Sequence, residues 1–76
     1  MEWNQIPGYD QLDEDQIERL SLVYARHMDT LDDPAAYAKE NILEIKRNQE
    51  QHSLALYFKN GDVINYTPEG EWFKSV

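Results

Sequence analysis

Two glycines near the end of the chain, Gly61 and Gly70, constrain its fold more than any other feature. Asn60-Gly61 separates Leu54–Lys59 from Asp62–Thr67, two runs rich in aromatic and aliphatic residues. An Asn-Gly pair tolerates positive φ at both central positions of a tight turn, the strongest short-range signal for a β-hairpin. A two-residue loop predicts the pairs Lys59–Asp62, Phe58–Val63, Tyr57–Ile64 and Leu56–Asn65. A second turn follows at Thr67-Pro68-Glu69-Gly70. Pro68 pre-sets φ, and Gly70 supplies the left-handed residue of a three-residue loop. That loop predicts Thr67 opposite Glu71, Tyr66 opposite Trp72 and Asn65 opposite Phe73.

Alternation along each strand sorts this meander into two faces. Leu54, Leu56, Phe58, Val63 and Phe73 form an aliphatic-rich face expected to lie under helices. Tyr57, Ile64, Tyr66 and Trp72, flanked by Ala55 and Lys74, form an aromatic stripe with polar tips. Such a stripe is either ordinary cross-strand packing, covered by the N-terminal segment, or a docking surface with ready-made anchors.

Upstream, residues 13–30 read as a helix. Asp13 caps it with Gln16 completing a capping box, and Leu12 staples to Ile17. Ile17, Leu20, Tyr24, Met28 and Leu31 recur at helical spacing, with Val23 and His27 beside them. Glu14 and Asp15 sit at the positive end of the macrodipole, and Arg26 and His27 near the other. A second helix over residues 33–50 is expected from an Asp33 cap, Pro34 at the first position and a stripe of Ala35, Ala38, Ile42 and Ile45. The alternative is a strand over Ile42–Arg47, with Leu43 and Ile45 inward. Trp3, Ile6 and Tyr9 around Pro7-Gly8 suggest an ordered arm packed on the rest. The expected fold class is therefore α+β: two N-terminal helices on a three-stranded antiparallel meander (53–59, 62–67 and 71–76) in one small domain spanning 1–76.

Charge and composition narrow the chemistry. The formal net charge is −8. Residues 1–38 hold nine acids and two arginines; residues 39–76 hold six acids and five bases. The negative field belongs to the first half, and direct nucleic-acid binding is disfavoured because phosphate neutralisation needs Lys and Arg. There is no cysteine, so no disulfide or thiolate chemistry, and no apolar run of membrane length. A cytoplasmic location is expected. His27 and His52 have no zinc-ligand spacing partners. Asp29, Asp32 and Asp33 read as a solvated turn and helix start, and the three glycines form no phosphate loop. No catalytic residue, cofactor site or metal site is expected.

These observations imply a small acidic module that docks on and modulates a larger protein partner, a basic one being the complement of its charge. Its anchors would be Tyr57, Ile64, Tyr66 and Trp72. The alternative is a nucleic-acid mimic that presents Asp10, Asp13, Glu14, Asp15 and Glu18 to a basic groove. Self-association through the sheet face or the last strand is a further option.

Overall fold

The computed structural model describes residues 2–75. Met1, in the expected arm, and Val76, at the end of the expected last strand, lie outside the described residues. Helix α1 spans Glu14–Asp29 and begins as its sequence dictates. The Asp13 carboxylate accepts the Gln16 N–H at 2.8 Å, and the Gln16 side chain accepts the Asp13 N–H at 2.9 Å. The helix closes where the Thr30 N–H and hydroxyl both donate to the His27 carbonyl.

No second α-helix forms among the described residues. Pro34–Tyr37 and Lys39–Asn41 are single 3-10 turns, and the chain then runs into strand β1, Ile42–Asn48. Helix propensity across 33–50 amounts to tenths of a kcal/mol per residue, and it yields to an accounting of backbone hydrogen bonds. Strand β2, Ser53–Phe58, is buried almost throughout and needs a partner on each side; β1 supplies one of them. Asn48 then stops β1, its side-chain oxygen accepting the N–H groups of Glu50 and Gln51. A register irregularity between Ile42 and Glu44 turns Ile42 and Ile45 inward and leaves Leu43 52% exposed.

With β3 (Val63–Tyr66) and β4 (Trp72–Ser75), the sheet has four antiparallel strands in the order β1-β2-β3-β4. The β3–β4 turn has the expected geometry, with Thr67 N–H to Glu71 O at 2.8 Å and Gly70 N–H to Thr67 O at 3.1 Å. The β2–β3 turn is one residue longer than expected. Phe58 N–H donates to Asp62 O at 2.9 Å and Gly61 N–H to Phe58 O at 3.0 Å, so Lys59, Asn60 and Gly61 form a three-residue loop. Gly61 takes φ +93°, and the Asn60 side chain accepts the Asp62 N–H.

That extra residue moves every β3 and β4 side chain to the opposite face. The observed pairs are Tyr57–Val63, Leu56–Ile64, Ala55–Asn65 and Leu54–Tyr66. Ile64, Tyr66 and Trp72 join Leu54, Leu56 and Phe58 beneath α1, where Leu20 and Val23 meet them. Val63, Asn65 and Phe73 go to the other side with Tyr57. The expected division of β3 and β4 is thus reversed, while that of β2 stands.

The arm packs as its hydrophobes suggested. Ile6 is 2% exposed, and the Pro7 carbonyl accepts the outward N–H of Ile45, so the arm covers the free edge of β1. No helix among the described residues is long and apolar enough to cross a membrane.

Candidate interaction surface

The four residues expected to form one aromatic stripe are split by the register. Ile64 and Tyr66 are sealed in the core, 5% and 0% exposed, and Trp72 lies partly buried at the same face. Only Tyr57 reaches the opposite, helix-free face.

On the covered side the aromatic residues surround His27. Its Nδ1 is 3.0 Å from the Tyr66 hydroxyl, and the rings of Tyr37, Tyr66 and Trp72 stand within 5.6 to 5.8 Å of the imidazole. Burial holds His27 below its ordinary pKa and raises that of Tyr66. The Tyr66 phenol therefore keeps its proton beside a neutral imidazole, and a hydrogen bond joins its oxygen to Nδ1. Tyr24, pushed up to about 12 by burial and the nearby Glu40 charge, donates to the Tyr37 carbonyl. Tyr37 donates to Asp62 at 2.5 Å, and Lys74 stands 3.0 Å from the same carboxylate. The Tyr37 hydrogen bond, then the Lys74 contact, hold Asp62 below its usual value. This cluster ties α1, the 3-10 turns and the sheet together.

The helix-free face is different. A shallow trough of about 650 Å³ runs across it, bordered by Lys46, Ala55, Tyr57, Val63, Asn65 and Ser75, and all its lining comes from the sheet and the β1–β2 loop. Its floor is short: Ala55 is 9% and Asn65 8% exposed, flanked by taller neighbours. The Asn65 amide donates to the Ser75 hydroxyl. The Lys46 ammonium lies 5.2 Å from the Tyr57 ring centroid and 3.9 Å from Glu44. Phe73, opposite Asn65 and half exposed, was expected on the covered side. A sequence signal for this arrangement did exist. The two-residue register would have placed the amide of Asn65 opposite Leu56 in the core, whereas the three-residue loop places Ile64 there.

Asp10, Asp13, Glu14, Asp15 and Glu18 are all exposed. Asp13 is engaged as the helix cap. Asp15 and Glu18 border a cleft of about 260 Å³ shared with Arg19, Leu22 and Arg26, so guanidinium groups interrupt the acidic surface there.

Comparison with protein-family models, with curated proteins and with solved structures found no match to this chain.

Proposed function

We propose that this chain is a small protein-interaction module that docks on a larger protein, and modulates it, through the helix-free face of its sheet. The observation that supports this reading is the asymmetry of the sheet. One face is sealed by α1 and the arm, while the other presents Tyr57, Val63 and Phe73 around a floor of Ala55 and Asn65. Short floor residues between taller rims suit an apolar side chain from a partner, with Asn65 and Ser75 available to its polar atoms. The acids of the helical half supply a field that favours a basic surface around the contact and speeds encounter.

The test compares the proteins retained from the native host by wild type and by two variants. Tyr57→Asp places a charge on the rim of the trough at a partly exposed position. The pair Glu14→Gln and Glu18→Gln removes charge from α1 alone. A retained protein that is lost at least tenfold with Tyr57→Asp, and kept with the α1 pair and in raised salt, supports the sheet face. Loss with the α1 pair and with salt, but not with Tyr57→Asp, overturns it in favour of the acidic-helix mimic.

A further inference from the structure

The two edges of the sheet are treated differently. Along β1 the arm lies against the edge, with the Pro7 carbonyl 2.9 Å from the Ile45 nitrogen. Strand β4 is the other edge and, among the described residues, pairs only with β3. Its outward groups follow from the turn. Thr67 and Glu71 form a hydrogen-bonded pair, so alternation makes Asn65–Phe73 and Val63–Ser75 hydrogen-bonded pairs as well. Glu71, Phe73 and Ser75 thus turn their main-chain groups toward β3. Trp72 and Lys74 turn theirs away from the sheet.

We propose that β4 pairs with β4 of a second copy, antiparallel about a two-fold axis at Phe73, to give a continuous eight-stranded sheet. In this register Trp72 lies opposite Lys74 of the other copy, and the reverse. All outward N–H and C=O groups of both residues find partners in four hydrogen bonds. On the helix-free face the two Phe73 rings meet as a non-hydrogen-bonded pair, with Cα atoms about 4.5 Å apart. Phe73 is one of the large apolar side chains left exposed, and this contact covers it. On the helical face each Lys74 stands opposite Trp72 of the other copy, so no like charges face each other. A slip of one residue pair in one direction sets Lys74 against Lys74. A slip in the other spends outward groups on the Gly70 turn.

Lysine on an edge strand ordinarily discourages pairing. Here Lys74 is held 3.0 Å from Asp62, which neutralises it locally. The half of the chain that carries the edge holds six acids and five bases, so little net charge is brought together. Four residues per copy make a small interface, and the expected complex is a weak, concentration-dependent dimer.

Sedimentation equilibrium over a wide concentration range, with three variants, tests this. Wild type should pass from monomer to dimer, more readily in high salt because each copy carries −8. Lys74→Pro removes an outward N–H, leaves the main-chain hydrogen bonds between β3 and β4 in place, and should raise the dissociation constant at least tenfold with an unchanged circular dichroism spectrum. Phe73→Cys, in a chain without cysteine, should oxidise to a disulfide-linked dimer, since about 4.5 Å between Cα atoms fits a disulfide. Glu71→Cys should not, because its copies lie roughly 14 Å apart along the paired strands in this register. A wild type that stays monomeric at millimolar concentration overturns the proposal. So does a dimer unaffected by Lys74→Pro, or one that cross-links through Glu71→Cys as readily as through Phe73→Cys.

Discussion

Gly8→Ala is expected to remove at least about 3 kcal/mol of stability, a large share of the roughly 4 to 11 kcal/mol a chain of this length holds. Gly8 sits at φ +94°, where an alanine costs about 1 to 2 kcal/mol. The larger effect is steric. A Cβ at this position would lie 1.8 Å from the carbonyl oxygen of Ile45, which belongs to β1 and cannot yield without breaking the sheet. The arm has to lift instead. With it go the Pro7–Ile45 hydrogen bond and the burial of Ile6, whose side chain alone accounts for about 1.5 to 3 kcal/mol. Trp3, edge-on to Tyr24 at 4.9 Å with Lys39 4.8 Å from its ring centroid, reports on the arm by fluorescence. Gly61→Ala is the matched control, at φ +93° with no atom within 4 Å of the added methyl. Urea unfolding should place Gly61→Ala about 1 to 2 kcal/mol below wild type, the cost of its backbone angle alone, and Gly8→Ala well below both. Equal midpoints for the two variants would refute the steric account of the arm.

The second large effect concerns His27. Tyr66→Phe keeps the ring and removes the hydroxyl 3.0 Å from Nδ1, leaving a buried imidazole nitrogen without its partner. The expected loss is about 1 to 3 kcal/mol. The same site predicts acid sensitivity. His27 titrates below its ordinary 6.5 in the folded chain, so below that pH the unfolded chain binds more protons than the folded one. Stability is therefore fully present above pH 6.5 and declines as pH falls toward the folded-state pKa, by at most about 1.4 kcal/mol per pH unit. Asp62 acts in a separate window. Its folded pKa is depressed, so its contribution is present above the ordinary 3.8 and is lost only as pH falls below that value. Between pH 6.5 and 5 the urea midpoint of wild type should drop while that of His27→Gln, displaced downward throughout, stays level. A wild-type midpoint constant over that interval would show that the imidazole is not buried in its neutral form.

How much of this was legible in the sequence depends on whether a signal was local. The α1 cap is a reciprocal contact three residues long, and Asp13 with Gln16 announced it. The Pro68-Glu69-Gly70 turn likewise carried its own register, and Tyr66–Trp72 pairing followed. Asn60-Gly61 was ambiguous, because glycine in the left-handed region serves both a two-residue loop and the third position of a three-residue loop. Locally nothing separates them; the choice is made by what Ile64, Tyr66 and Asn65 would face across the sheet. Strand β1 was harder still. Lys, Glu and Ala around Ile42 and Ile45 suit a helix, and the decisive term is the unfilled hydrogen-bonding side of β2, some ten residues away. The surface expected to dock a partner inherited the β2–β3 error. Tyr57 was placed on the surface it occupies, but Tyr66, Ile64 and Trp72 were carried to it by a loop one residue too short, and Phe73 was carried away.

The three-residue loop at Gly61 is therefore what the account rests on, since it decides which side chains seal the core and which line the trough. Cross-strand α-proton contacts in a two-dimensional NMR spectrum read it directly, because α-protons face each other only in non-hydrogen-bonded pairs. The observed register predicts a strong contact between the α-protons of Tyr57 and Val63. A strong contact between those of Phe58 and Val63 would contradict it and return Tyr66 and Trp72 to the helix-free face.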